Sequence, residues 1–164
     1  MKPVNICTDN HPALRKIAQP IKQFDRALRE LVQQLREVMV THHGVGLAAN
    51  QLGLNLSVFV ARPKEKFYFF INPELQLIGE PELREEGCLS VPHKWGLVKR
   101  APKVRLSYHN LQGKRRTLTA SGLLAQIIQH EVDHLHGILF IDKATEVWDI
   151  QDGVGSHSPN DKTT

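Results

Sequence analysis

The most constraining stretch of this 164-residue chain runs from about Ala120 to His136. Leu123, Ile127, His130 and His134 recur at spacings of four, three and four, so on a helix they share one face. Gln126, Gln129, Asp133 and His136 read as a separate polar stripe on the surface. Thr119 or Ser121 offers a cap for the start of this helix, and Gly137 a left-handed residue for its end. An apolar, core-facing stripe that ends in two imidazoles puts polar nitrogens in the interior, where each needs a partner. The fold must bring something polar to His130 and His134, which sets this helix at its centre.

That partner can be an ion. His130-Glu131-Val132-Asp133-His134 is an H-E-x-x-H motif. Two histidines at i and i+4 can grip one ion from the same side, and the glutamate beside them can move the protons of a water. A lone core histidine is more often satisfied by hydrogen bonds. Here two lie on one buried stripe. A third ligand would decide the kind of site. Downstream, Gly137 fits the continuation H-x-x-G-x-x-H, but Phe140 stands where the third histidine would be, and Glu146 is the only later glutamate. Upstream, Glu86-Gly87-Cys88-Leu89-Ser90 offers a thiolate in a loop between strand segments. A small buried thiol is the equally weighted alternative there. In Gly44-Val45-Gly46-Leu47-Ala48-Ala49-Asn50-Gln51 the small residues let backbone approach something closely, and the Gln51 amide can donate to a developing oxyanion. Taken alone, that stretch reads as a tight turn between helix and strand.

The rest of the chain frames these stretches. An arm to Gln23 carries Pro3, Pro12 and Pro20. Asp25 can cap a helix to about Thr41, with Leu28, Leu31, Leu35, Val38 and Met39 on its apolar face and Gly44 at its end. Strands are expected at Val58–Val60, Phe67–Ile71, Glu82–Arg84, Leu97–Lys99, Val104–His109 and Arg115–Thr119, with turns at Arg62-Pro63 and Asn110–Gly113. Strands clustered between two helices predict an α+β fold, with antiparallel, partly barrel-like sheets packed around a central metal-binding helix. Residues 1–150 are expected to form a single catalytic domain and 151–164 a disordered tail. Two cysteines, Cys7 and Cys88, cannot build a disulfide framework, and Cys7 reads as incidental. No apolar run is long enough to span a bilayer and no signal core opens the chain, so a cytoplasmic protein is the expectation. The formal charge of +4 fits work near RNA or mere solubility.

Taken together, Gly44–Gln51, Glu86–Ser90 and Gln129–His134, in this order, resemble the signature of the peptide deformylase family. Ile71-Asn72-Pro73, Val91-Pro92 and Leu139-Phe140-Ile141-Asp142 look like deformylase segments as well. The resemblance covers the chain to about Asp142. It implies a hydrolase that removes the N-formyl group from the initiator methionine of nascent peptides, releasing formate. It implies Cys88, His130 and His134 around one divalent ion, with a fourth position for water and Glu131 handling that water's protons. Iron(II) is the family's usual metal, and nickel, cobalt or zinc can substitute. The oxyanion would be held by the ion, Gln51 and the backbone N–H of Leu89. Substrate would lie as an extended strand beside Val45 and Gly46, with Val45, Leu123 and Ile127 walling an apolar methionine pocket. Glu86 is expected behind the ligands, paired with Arg100. Asn50 stands where proline is frequent in the family, and His93 where glycine is frequent. A long basic C-terminal helix, which some members use to dock on the ribosome, has no counterpart in the tail, so ribosome contact would be transient at most. Membrane and DNA binding are not expected. A bacterial-type cytoplasmic source, an organelle and a phage all fit.

Two other readings use the same residues. A zinc peptidase would need Glu146 or His136 as third ligand. A structural zinc domain binding RNA would need His93 to close the site, and would have no use for Glu131 or Gln51.

Overall fold

Asp25 starts the first helix: its Oδ1 accepts a hydrogen bond from the Leu28 N–H at 3.1 Å, and α1 runs Arg26–Thr41. The computed structural model describes residues 4–150, so the expectation for the tail lies outside the described residues. The buried face of α1 is Leu28, Val32, Leu35 and Met39, with Leu31 and Val38 packed beside them. At its C-terminal end, the residue in the left-handed region is His43 (φ 57°) rather than Gly44. Gly44 is small for another reason: a Cβ there would lie 2.8 Å from Leu89 Cδ1.

Eight strands follow: β1 (Gly46–Ala48), β2 (Val58–Ala61), β3 (Tyr68–Ile78), β4 (Glu82–Cys88), β5 (Val91–Arg100), β6 (Lys103–His109), β7 (Arg115–Ser121) and β8 (Glu146–Asp149). The second helix, α2, is Gly122–Leu135, and a single turn, α3, spans Phe140–Lys143. All strand pairs are antiparallel. One sheet has the order β1-β2-β3-β6-β7, the other β4-β5-β8. Thus β1 and β4 each end a sheet. The fold is α+β with α2 packed on the larger sheet. Ile127, Ile128 and Val132 of α2 join Phe59, Phe70 and Leu106 of the strands in one core cluster. Each such side chain contributes roughly 1.5–3 kcal/mol relative to leaving it in water.

Several segments differ from the sequence expectation, each for a local reason. The strands expected at Glu82–Arg84 and Leu97–Lys99 are longer because β4 and β5 pair from Glu82↔Arg100 to a tight turn at Leu89-Ser90. Cys88 is therefore the last residue of a strand and not a loop residue. Glu146–Asp149, which is not among the expected strands, pairs with the outer edge of β5. The Gly44–Gln51 turn contains the three-residue strand β1 and then a 3₁₀ turn, Ala49–Leu52. Ser121 is the N-cap of α2, although its side chain makes no capping bond. Cys7 is partly buried against the cluster of Leu14, Val91 and Phe140.

The arm is tied down by Asn72, whose side chain accepts from the Ile21 N–H and donates to the Ile21 carbonyl, both at 2.8 Å. Asn72 can do this because it sits at the β3 bulge with φ 50°.

Candidate active site

The last two turns of α2 carry His130, Glu131 and His134 into the space between the two sheets. The end of β4 brings Cys88 to them. Cys88 Sγ lies 3.2 Å from His134 Nε2, and one ligating atom from each of Cys88, His130 and His134 falls within 4.8 Å of the others. Tetrahedral bonds of roughly 2.0–2.3 Å put neighbouring donors about 3.5 Å apart, so the cluster is at the scale that could hold one ion. Two imidazoles and a thiol are also a donor set suited to zinc, iron and their neighbours.

The surroundings orient these donors. His130 Nδ1 is 2.7 Å from Glu86 Oε1, which leaves Nε2 for the cluster. Burial would push the Glu86 carboxyl up, but hydrogen bonds from Arg100 and His130 outweigh it and hold it down at about 2. Arg100 clasps Glu86 with two bonds of 2.7 Å and reaches Asp133 with a third of 2.7 Å. Lys143 of α3 meets the other oxygen of Asp133 at 2.8 Å. Glu86, Arg100 and Asp133 are all buried. Burial also disfavours charge on both histidines. At His130 the Cys88 thiol and the Glu86 carboxylate outweigh burial and raise its pKa, whereas at His134 burial, reinforced by His130, pushes it well down. With Glu86 holding His130 Nδ1, the two imidazoles and the thiol present nitrogen and sulfur donors of the kind a divalent cation takes. The donors present fit such an ion.

Glu131 is buried, and desolvation pushes its carboxyl up to about 7. Its Oε2 has no hydrogen-bond partner among the described residues. Beneath it lies Gly46: a Cβ there would stand 2.5 Å from Glu131 Oε1 and 2.9 Å from Ile127 Cγ2. The glycine lets the edge strand lie directly against the acid. Gln51 is buried and held at both ends. Its Oε1 accepts from the Ala48 N–H (2.9 Å), and its Nε2 donates to Ser90 Oγ (3.1 Å) while facing Cys88 Sγ at 3.8 Å.

These groups open onto a groove of about 630 Å³. Val45, Gly46, Gln51, Glu86, Cys88, Leu89, Leu123, Ile127, His130 and Glu131 all line it. His134 (1 % exposed) and Arg100 (3 % exposed) stand behind it. The structure therefore brings together every site residue expected from the sequence.

The polar stripe is a correction. Gln129 and Asp133 are buried, not outward-facing. Gln129 bonds the Ala101 N–H and carbonyl at 2.9 and 3.0 Å, and Asp133 takes Arg100 and Lys143. Gln126 lines the groove. Helical spacing separated these residues from the histidines but could not show that β5 covers the second face. Ser90, Asn50, Lys143 and Phe140 are also part of the setting. Phe140, at the position that rules out a third histidine, stacks on the His130 ring (centroids 6.2 Å, 25°). Asn50 is fully buried and donates from Nδ2 to the His134 carbonyl at 2.5 Å. His93 lies at the rim with φ 65°, the region where glycine is favoured. Nothing in the residue types alone marks Asn50 or Lys143: the partner of Asn50 lies 84 positions away, and that of Lys143 lies across the turn that joins α2 to α3.

A buried H-E-x-x-H helix, a converging thiol and a desolvated acid at the head of an open groove define a metal-dependent hydrolase. The family model for polypeptide deformylases matches residues 3–148, and the chain belongs to that family. Among its relatives, a peptide deformylase of Phenylobacterium zucineum is 44% identical over 138 residues, covering 80% of this chain and 82% of the relative. One from Rhodopirellula baltica is 40% identical over 149 residues, covering 88% of this chain and 74% of the relative. The crystal structure of the Thermotoga maritima peptide deformylase superposes with a TM-score of 0.85 at 35% identity, covering 87% of this chain and 98% of that one. A Synechococcus elongatus peptide deformylase solved in complex with actinonin gives 0.86 at 35% identity, over 89% and 81% of the two chains.

Proposed function

We propose that this chain hydrolyses the formamide of N-formylmethionyl peptides at a single ion held by Cys88, His130 and His134. Iron(II) is the first candidate, with nickel, cobalt or zinc as substitutes. The observation that carries the reading is the convergence of those three donors beside buried Glu131 in the wall of the groove. When bound, the ion supplies Lewis acidity to water and to the formyl group.

The chain's own residues do the rest. Glu131 takes a proton from the attacking water, whose oxygen bonds to the formyl carbon, and passes it to the peptide nitrogen as the C–N bond breaks. Formate and a free amino terminus result. A carboxyl pushed up to about 7 is suited to both halves of that transfer. Gln51 Nε2, fixed by Ser90 and Ala48, and the Leu89 N–H donate to the oxygen that gains charge. The peptide adds as an extended strand to the free edge of β1 at Val45 and Gly46. Its first side chain enters between Val45, Leu123 and Ile127. Such substrates arise where translation starts with formylmethionine, which places the enzyme in a bacterial-type cytoplasm or an organelle of that descent. Contact with the ribosome would be transient.

The test is formate release from formyl-Met-Ala-Ser by protein purified without oxygen, with its metal counted. One ion per chain and release are expected. Cys88→Ala should drop the ion and the activity together. Retention of a full ion by Cys88→Ala would favour a peptidase-type site with another third ligand.

Gly46→Ala tests the seat of Glu131. The new methyl must displace Glu131 or Ile127, and a misplacement of about 1 Å can cost roughly 10²-fold in rate. The expected result is a fall of that size in kcat for formyl-Met-Ala-Ser with metal content unchanged. A kcat within a factor of two of the original would show that the acid tolerates displacement.

A further inference from the structure

Gln126 carries a feature that an apolar methionine pocket does not require. It lies one helical turn before His130 on the same face of α2 and lines the groove with Leu123 and Ile127. Its Nε2 donates to the Glu85 carbonyl of β4 at 2.9 Å, so the amide is pinned across the gap between helix and strand. A glutamine amide has two N–H donors and one acceptor oxygen. Among the described residues, neither the second N–H nor Oε1 has a protein partner. The chain thus sets a partly buried, pre-oriented amide into the lining of the groove, beside Leu123 and Ile127 on the same helix.

We propose that Gln126 is a specificity-determining residue that lets the pocket accept N-formyl peptides whose first side chain ends in a hydrogen-bond acceptor, oxidised methionine (the sulfoxide) above all. The inference rests on the deformylase reading and extends it to a second substrate class. One helical turn is about 5.4 Å, the scale of a side chain whose sulfur is its third atom, so Gln126 stands level with that sulfur when the formyl group is beside His130. Oxidation turns a weakly accepting thioether into a strong, polar acceptor. An all-apolar pocket would have to desolvate that oxygen without compensation. The free N–H of Gln126 donates to it instead, and the Glu85 carbonyl keeps the amide from turning away.

The test compares kcat/KM for formyl-Met-Ala-Ser, its methionine sulfoxide form and its norleucine form, in the wild type, Gln126→Leu and Gln126→Met. Both variants should move the two analogues in opposite directions. Sulfoxide turnover falls and norleucine turnover rises, so that the ratio of sulfoxide to norleucine drops about ten-fold, the size of one hydrogen bond. A fold or metal defect would lower both and leave the ratio in place. An unchanged ratio, with formyl-Met-Ala-Ser still cleaved, overturns the role of Gln126 and leaves the deformylase reading standing. No formate from any of the three substrates with the wild type overturns both.

Discussion

Replacing Glu131 by glutamine is expected to lower kcat for formyl-Met-Ala-Ser by about 10²–10⁴-fold while leaving one ion per chain. The structure separates these two effects. Glu131 is not one of the three converging donors, so the cluster of Cys88, His130 and His134 survives the change. Glutamine has nearly the same shape and fits the space that the missing Cβ of Gly46 leaves beside residue 131. What disappears is a buried group that can hold and release a proton. The melting temperature should not fall, because a neutral amide ends the cost of desolvating a carboxylate in that position. Formate release in single-turnover and steady-state assays, with metal analysis and a thermal melt on the same preparation, checks all three points. Loss of the ion along with activity would make Glu131 a ligand. Unchanged kcat would remove it from the chemistry.

How much of this was legible in the sequence depends on the range of the signal. The cap at Asp25, the apolar face of α1 and the pair His130 and His134 are written in spacings of three and four residues, and a helix realises them locally. Alternation and β-branching marked most strands. The short strands β1 and β8 carry almost no pattern and exist because a partner edge is there to pair with. The same holds inside the site. Cys88 could be placed near the histidines only by resemblance, since it lies 42 positions before His130 and no periodicity links them. Gln129 and Asp133 looked solvent-facing because one helix read alone has only one inside. In the structure α2 has two, one against the large sheet and one against Arg100, at the end of β5 in the small one, and Ala101 just beyond it. A polar residue on the second inside is a linker, and its role is set by residues roughly 30 positions away, such as the Asp133 bond to Arg100.

Arg100→Met should be the most destabilising of the single changes considered for this chain. Arg100 holds two carboxylates, Glu86 through Nε and Nη2 and Asp133 through Nη1, in a setting where all three side chains are buried. A buried pair adds little over a well-packed apolar substitute, but breaking it by removing one partner typically costs 3–5 kcal/mol, about what is expected here. For a domain of this size that corresponds to a fall in melting temperature of roughly 6–20 °C. Lys143 still meets Asp133, so the larger share of the loss falls on Glu86. Glu86 is also the group that fixes the tautomer and orientation of His130, and loss of such a support typically weakens metal affinity by about 10–100-fold. Denaturant melts and competition with a chelator measure the two effects separately. The double variant Arg100→Met with Glu86→Gln decides their origin. If uncompensated charge causes the instability, the double variant should recover part of the melting temperature yet not the metal affinity, because the neutral amide no longer leaves a charge buried but holds the His130 ring less firmly than a carboxylate does. If neither measurement moves in Arg100→Met, water must reach Glu86, and the buried clasp would have no part in aiming His130.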